Sequence, residues 1–232
     1  MINKSNFSLM NAARKSIFYT VFFLLTFAVA VASDSIDVKL QYLDRDFSTL
    51  LKPESEFLGY IGNDYQRLKI IFTSVKQDKE DHSVYRVKGY SEVKAIQNDF
   101  EGIIVVDKIR KFKRMHYGVD DELKDAKIRS EGFLKAKYKL QENPKQKHSG
   151  EFTGVMTLNW YVDRNGILLF DDIENYSDNF RNNQYVGIWT SYESKVGSKI
   201  ANWGEYRIPF SGDLDTGSGQ FSANPKYKNR GW

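Results

Sequence analysis

Paired carboxylates can hydrolyse a glycosidic bond, and one dense group of acids follows a predicted strand, at Asp171, Asp172, Glu174 and Asp178. That chemistry requires the two carboxyl groups to face each other about 5 to 10 Å apart, which closeness in sequence does not supply. An acidic loop is more often the solvated end of a strand. We therefore rank an unrecognised hydrolase using Asp171, Asp172 or Glu205 last among the functions considered.

Metal chemistry has one weak signal. The run Asp213–Gly219 alternates oxygen donors as a calcium loop does, but Gly217 occupies the third acidic position and no glutamate follows at the twelfth. The three histidines, His82, His116 and His148, are not at metal-ligand spacing, no Gly-x-Ser-x-Gly elbow accompanies them, and cysteine is absent. We read 213–219 as a tight glycine-rich turn and predict no catalytic residues, no metal and no cofactor.

Aromatic side chains are the feature that could define a binding site, because all four tryptophans lie in the last third of the chain, together with Tyr192 and Tyr206. Inside a closed β-barrel such rings either fill the core or line a ligand cavity, and buried indole or phenol groups usually need a polar partner. Core filling is the default. The functional alternative gives our predicted ligand-binding residues: Trp160, Trp189, Tyr192, Trp203 and Tyr206.

The elements that would position these rings are strands. Between Leu134 and Leu140 apolar residues alternate with lysines, which is typical of a strand with one dry and one wet face. Few amphipathic helical stretches separate the strands, which favours an antiparallel meander, and Asn165-Gly166 predicts a hairpin. A short helix is expected at 119–130, and 34–56 fits either a strand or a helical turn. The predicted strands are 66–75, 84–94, 98–112, 134–140, 151–162, 166–173, 184–192 and 201–208.

A weak repeat indicates how the sheet bends. An aromatic residue, any residue, glycine and an apolar or aromatic residue recur at Phe57–Tyr60, Phe100–Ile103, Phe152–Val155 and Tyr185–Ile188. The aromatic residue and the glycine share one face of a strand. Inward glycines permit the sharp coiling that closes a sheet, so the repeat favours a barrel or a strongly bent sandwich.

The amino-terminal segment predicts export. Lys4, Arg14 and Lys15 precede an uncharged run, 16–32, that ends in Ala-Val-Ala, so residues 1–32 match a signal peptide. An uncleaved membrane anchor is the alternative, because 17 residues are at the short limit for a span. Without the leader the chain keeps 31 basic and 30 acidic residues, since the leader holds three basic and no acidic ones. Nucleic-acid binding therefore loses its electrostatic support.

The carboxyl-terminal third carries a resemblance. The motif Asn202–Pro209 (NWGEYRIP), followed by Gly212–Ser222 (GDLDTGSGQFS) and Gly231-Trp232, resembles the ending of a family of uncharacterised exported proteins from Bacteroidetes. Residues 62–67 and 183–192 are similar to the same family, so the resemblance covers nearly all of the chain after the leader. It implies an envelope setting and transfers no catalytic residues. Some members carry a cysteine near Trp203; this chain has none, which argues against a required thiol.

These observations predict one all-β domain over residues 33–232. We expect an antiparallel up-and-down meander closed into a calycin-like, lipocalin-like or avidin-like barrel, with the loop-rich segment 209–232 packed over a wall or mouth. The leading hypothesis is a non-catalytic periplasmic or extracellular protein that binds a small apolar molecule, lipid or glycan among Trp160, Trp189 and Trp203. The alternative is a protein-interaction module, such as a periplasmic inhibitor or immunity partner. Ligand binding predicts an open cavity beside Trp189, and the alternative predicts a filled interior.

Overall fold

The computed structural model describes residues 34–53, 57–115, 117–118, 124, 128–193 and 195–232. The leader, 1–32, and most of the helix predicted at 119–130 lie outside the described residues. In the part described, no helix is both long and apolar enough to cross a bilayer.

Among the described residues, ten strands form a single antiparallel sheet, and eight of these strands close into a barrel. Each barrel strand pairs with its neighbour in the chain, and the last pairs back to the first through Trp203 and Gly59. The predicted up-and-down, calycin-like barrel is therefore confirmed. The strands are β1 (Ser35–Asp37), β2 (Phe57–Ile61), β3 (Gln66–Gln77), β4 (Val84–Val93), β5 (Ile96–Phe112), β6 (Ser130–Glu142), β7 (Gly150–Val162), β8 (Leu168–Phe170), β9 (Asn182–Ser191) and β10 (Ser198–Glu205).

Strands β1 and β8 lie outside the closed ring. β1 pairs with the end of β5, and β8 pairs with the last three residues of β7. The predicted hairpin at Asn165-Gly166 is confirmed: Val162 lies opposite Leu168, and Gly166 has a φ of 84°. The segment predicted as a strand at 166–173 therefore forms only the short β8, and the eighth barrel strand is β2, which the two-residue rhythm did not indicate.

The inward glycines confirm the interpretation of the aromatic repeat. Gly154 and Gly187 lie directly opposite each other in the β7–β9 pair. A Cβ atom at Gly187 would lie 2.4 Å from the Tyr138 hydroxyl oxygen, and one at Gly154 would lie 2.8 Å from the same atom. The sheet coils so tightly here that the Tyr138 ring occupies the space that two side chains would need.

One end of the barrel is closed by the chain that precedes β2. Two single-turn helices, α1 (Lys39–Tyr42) and α2 (Ser48–Leu51), lie across the barrel interior. The Tyr42 ring lies 4.7 Å from that of Trp160, and the backbone N–H of Phe47 donates to the Tyr85 hydroxyl at 3.1 Å. Because Phe47 and Leu51 are almost fully buried, this plug completes the hydrophobic core at its end.

Residues 209–232 pack on the outer wall of the barrel, where a second hydrophobic cluster forms around Tyr60, Ile208 and Leu214. Arg207 anchors this segment: its guanidinium donates to the Asp215 carboxylate at 2.5 Å and to three backbone carbonyl oxygens of the following turn. The sequence resembling a calcium loop is therefore a turn organised around an arginine. Arg207, Asp215 and Gly217, which belong to the carboxyl-terminal motif described above, therefore have structural roles in this turn.

Arg207→Lys is expected to loosen this turn while leaving the barrel folded. Lysine keeps the charge opposite Asp215 but cannot reproduce the planar fork that bonds several oxygens at once, so we expect a loss of about 1 kcal/mol. Limited proteolysis should cut 215–219 several-fold faster than in the parent. Arg230→Lys is the control, because the Arg230–Asp64 pair is largely exposed; equal cleavage rates in both variants would contradict the role given to Arg207.

Candidate functional site

The candidate site is a cavity at the end of the barrel opposite the plug. Four connections surround it: β2–β3, β4–β5, β6–β7 and β9–β10. The cavity has a volume of about 350 Å³, within the range of pockets that hold small molecules. It extends inward to Phe152 and Trp189, which are both buried.

The cavity lining mixes apolar and polar groups. Ile61, Val93, Ile96 and Val196 contribute aliphatic surface around the two aromatic rings. The polar lining residues are Asp64, Gln66, Ser91, Lys94, Asn98, Glu142, His148, Ser191 and Lys199. A pocket with an apolar floor and several converging polar groups can fix both the position and the orientation of a small ligand.

Glu142 is the buried carboxyl group of this cavity, at the last position of β6 and 3% exposed. It accepts hydrogen bonds from the Gly150 backbone N–H at 2.7 Å, from the Trp189 indole N–H at 2.9 Å and from the Ser91 hydroxyl. Burial raises the pKa of the Glu142 carboxyl, and the three hydrogen bonds partly oppose that rise. Glu142 therefore fixes the orientation of the Trp189 ring beside the cavity.

The rim of the cavity includes a strained turn. Lys94 and Ala95 connect β4 to β5 and both have positive φ, 51° and 63°. A two-residue hairpin of this kind normally carries asparagine and glycine, which tolerate the left-handed conformation. Backbone strain is often found at binding sites, and Lys94 of this strained turn lies in the cavity lining.

The five aromatic residues predicted as a site do not lie together. Trp189 lines the cavity, and the Lys199 ammonium group lies 5.8 Å from the centroid of its ring. Trp203 lies in the middle of the barrel and Trp160 beneath the plug, both fully buried. Tyr192 and Tyr206 are 43% and 45% exposed on the outside. Of the five, the geometry brings only Trp189 to the cavity.

Aromatic packing fills the middle of the barrel. The rings of Tyr185 and Trp203 stack with centroids 5.1 Å apart and planes 12° apart, and Tyr138 meets both edge-on. Burial raises the pKa of the Tyr138 and Tyr185 phenols well above their ordinary value. The interior is thus filled at its centre and open at one end, so the cavity is a cup and not a through-channel.

The acidic residues singled out from the sequence lie elsewhere. Asp171, Glu174 and Asp178 line a separate surface cavity of about 360 Å³ together with Glu131. Glu205 accepts a hydrogen bond from the Asn183 side-chain amide beneath the plug, at 2.9 Å. Among the described residues, no group of three or more His, Cys, Asp or Glu side chains is arranged to hold a metal ion.

Three polar cavity residues were missed from the sequence, although a signal was present. Glu142 continues the inward positions of β6 two residues beyond Leu140. Gln66 and Asn98 occupy the equivalent inward positions at the starts of β3 and β5, each two residues before a buried Leu68 or Phe100. A polar residue at the end of an inward apolar series therefore marks the open end of the barrel.

Comparison of the chain with protein-family models, with curated proteins and with solved structures found no match. The geometry of the described residues is accordingly the basis for the functional proposal.

Proposed function

We propose that this protein is a non-catalytic binding protein of the cell envelope that holds a small ligand in the cavity at the open end of its barrel. The observation that carries the proposal is the 350 Å³ cavity beside Trp189. An interaction module alone would need no such space, whereas a ligand-binding barrel requires it.

The form of the cavity supports reversible binding. Its floor is rigid, because Phe152 and Trp189 belong to paired strands and Trp189 is fixed by Glu142. Its rim consists of short connections and two exposed lysines, Lys94 and Lys199, which can adapt to an incoming molecule. A preformed floor reduces the ordering cost of binding. The envelope setting in this proposal rests on the signal-peptide pattern of residues 1–32 and on the resemblance of the carboxyl-terminal motif to exported proteins, not on the barrel itself.

Trp189→Phe tests the proposal through fluorescence. Trp189 is the tryptophan in the cavity lining, while Trp160 and Trp203 are fully buried away from it. A ligand from a panel of envelope lipids and glycans should change the emission of the parent protein in a saturable way. The variant should lose most of that change and bind several-fold more weakly, because the phenylalanine ring is smaller and cannot donate to Glu142.

Trp160→Phe is the matched control, since it alters a buried tryptophan beneath the plug and should leave the ligand-dependent change intact. The proposal fails if the whole panel produces neither an emission change nor a shift in melting temperature. It also fails if Trp160→Phe abolishes the response as fully as Trp189→Phe does.

A protein-interaction module is the second candidate, and one separate observation favours it. Val155, Ile188 and Ile200 project from the outer faces of β7, β9 and β10, and each is 43–54% exposed. Ile200 lies opposite Ile188 in the β9–β10 pair, so the apolar surface is continuous across strands. An envelope protein bound there in stoichiometric amount should be lost on Ile188→Lys, while ligand binding in the cavity stays unchanged. A partner retained equally by the Ile188→Lys variant would remove this candidate.

A further inference from the structure

Lys199 places a positive charge on the inner face of the barrel at its open end. It lies directly opposite the inward-facing Trp189 in the β9–β10 pair, and residues opposite each other in an antiparallel pair share a face of the sheet. Two residues further along β10, on the same face, is the fully buried Ala201. The Lys199 ammonium group is 5.8 Å from the centroid of the Trp189 ring. Lys199 therefore faces the cavity and any molecule inside it.

Lys94 supplies a second ammonium group to the same cavity, from the strained turn between β4 and β5. Both lysine side chains are exposed, so a molecule that enters the cavity can reach them. Among the described residues, neither ammonium group of Lys94 and Lys199 forms an ion pair or a hydrogen bond with a protein group. The two charges are therefore free to pair with an occupant.

The other titratable groups of the lining are engaged elsewhere. The Asp64 carboxylate forms an ion pair with the Arg230 guanidinium at 3.0 Å. The Glu142 carboxyl accepts the three hydrogen bonds described above, and burial raises its pKa, which reduces the negative charge that it presents to the cavity. The His148 ring nitrogen lies 3.9 Å from the carboxylate of Glu193, which is outside the lining. An anion in the cavity would thus meet two unpaired cations, while each lining carboxyl group has a partner of its own.

The inner part of the cavity is apolar. Phe152 and Trp189 lie opposite each other in the β7–β9 pair and form the floor. The aliphatic residues of the lining are Ile61, Val93, Ile96 and Val196. Transfer of a hydrocarbon group from water to such a surface is favourable. The cavity therefore offers an apolar floor and a positively charged mouth.

We propose that the cavity binds a small apolar carboxylic acid in its anionic form, with the hydrocarbon body on the floor formed by Phe152 and Trp189 and the carboxylate at the mouth, paired with Lys94 and Lys199. A carboxylate offers about four acceptor positions, and lysine has a long flexible stem, so both ammonium groups can donate to one carboxylate. This inference rests on the proposed binding function and names its ligand class.

Three probes with the same hydrocarbon body separate the effect of charge from that of apolar burial: octanoate, octan-1-ol and octylammonium. Each is titrated into the full folded chain by calorimetry near neutral pH. Octanoate should bind several-fold more tightly than octanol and at least tenfold more tightly than octylammonium, which meets two like charges. Raising the ionic strength to about 0.5 M should weaken the binding of octanoate and leave that of octanol nearly unchanged.

Lys199→Met tests the assigned contact. Methionine keeps an unbranched apolar side chain beside the Trp189 ring but carries no charge, so octanoate should bind about fivefold more weakly and octanol equally well. Lys94→Met should give a similar loss, and the double variant a loss of at least tenfold. Lys195→Met is the matched control, because Lys195 is exposed on the same β9–β10 connection and lies outside the lining. It removes the same charge and should change the octanoate affinity by less than about twofold.

A preference for octanoate over octanol that Lys199→Met reduces and Lys195→Met retains would support the inference. A preference that survives in the double variant would overturn it, as would an equal loss of octanoate and octanol binding in Lys199→Met, which a purely structural role predicts. Octanol binding as tightly as octanoate, or binding of neutral monosaccharides without any octyl probe, would overturn the ligand class and leave the binding function standing. Binding of none of these probes would overturn both.

Discussion

Gly187→Ala is expected to lower the free energy of unfolding by about 3 kcal/mol or more, and the melting temperature by about 6 to 12 °C for a chain of this size. Gly187 belongs to β9 and lies opposite Gly154 of β7. An added Cβ would lie 2.2 Å from the Thr153 carbonyl oxygen and 2.4 Å from the Tyr138 hydroxyl oxygen. Both distances are far below van der Waals contact, so the strands must separate to relieve the first and the tyrosine must move to relieve the second.

Movement of the tyrosine is itself costly. The Tyr138 ring packs edge-on against Tyr185 and Trp203, with centroids 5.3 and 5.1 Å away. Protein interiors are close-packed, so a shift of one ring displaces its neighbours. The small substitution therefore affects the whole aromatic centre of the barrel.

Further variants show how much of the lost stability comes from the contact with the Tyr138 hydroxyl group. Tyr138→Phe removes the hydroxyl group, which is buried and has no partner among the described residues, so alone it should be neutral or stabilising. Combined with Gly187→Ala it should recover part of the lost stability, because one of the two close contacts disappears. Gly219→Ala is the control for the added methyl group, because Gly219, like Gly187, has no positive φ, and a Cβ there would lie 3.5 Å from its nearest neighbour, an ordinary van der Waals contact. A Gly187→Ala variant that melts within 2 °C of the parent, by calorimetry, would show that the barrel is less tightly coiled than described.

The aromatic-glycine repeat explains why so much of the fold could be predicted. Each inward glycine and its neighbouring ring report the same physical need, which is space for a coiled sheet, and the period of two fixes which residues share that face. Phe57, Phe100, Phe152 and Tyr185 are all buried as this pattern requires. The short repeat was sufficient to predict the bend of the sheet, because the space that a coiled sheet needs is set by residues close together in the chain.

Strand β2 contains one copy of the aromatic repeat but is missing from the strands predicted by alternation, because its outer face is covered. Tyr60 packs beneath residues 209–232, so Phe57–Ile61 is buried on nearly every side chain and lacks alternation. A strand covered on both faces has no two-residue signature. Only the position of the distant carboxyl-terminal segment determines that pattern.

The site was less predictable for a related reason. Trp160, Trp189 and Trp203 all point into the barrel, but depth along its axis decides whether a ring fills the core or meets a cavity. Depth depends on which end the plug closes, and the plug is formed by residues 38–51, whose secondary structure the sequence left open. The sequence pattern was sufficient to predict that these tryptophans face inward. Only the closed barrel shows that Trp189 lies beside the cavity while Trp160 and Trp203 lie in the filled core.

The plug also creates the second large expected effect, which is a dependence of stability on pH. Glu205→Gln is expected to raise the free energy of unfolding by about 2 kcal/mol at pH 8 and to have little effect at pH 4. Burial raises the pKa of Glu205 from its ordinary value of 4.5 to about 7, partly opposed by the hydrogen bond from Asn183. The same Asn183 amide lies 3.4 Å from the carbonyl oxygens of Leu50 and Leu51 in α2.

The direction of the pH dependence follows from the raised pKa of Glu205. Below pH 4.5 Glu205 is protonated in both the folded and the unfolded chain, so its burial carries no charge penalty. Between pH 4.5 and 7 the unfolded chain releases the proton first, and stability falls as pH rises until the folded carboxyl also ionises. Glutamine keeps an acceptor oxygen for Asn183 and never carries the charge. The two nearby phenols, Tyr185 and Tyr206, do not contribute in this range, because burial raises the pKa of each above its ordinary value of 10.0.

Chemical denaturation of the parent and the variant between pH 4 and 8 measures the effect. The two stability curves should coincide at the acidic end and separate progressively up to about pH 7, with the variant higher by an amount equivalent to about 4 to 8 °C in melting temperature at pH 8. Glu80→Gln is the control, because it removes a carboxylate that is exposed on the β3–β4 connection and should shift the whole curve by a small constant at most. Parallel curves for parent and Glu205→Gln would mean that the carboxyl under the plug is charged at no cost, and would remove the plug as the source of the pH dependence.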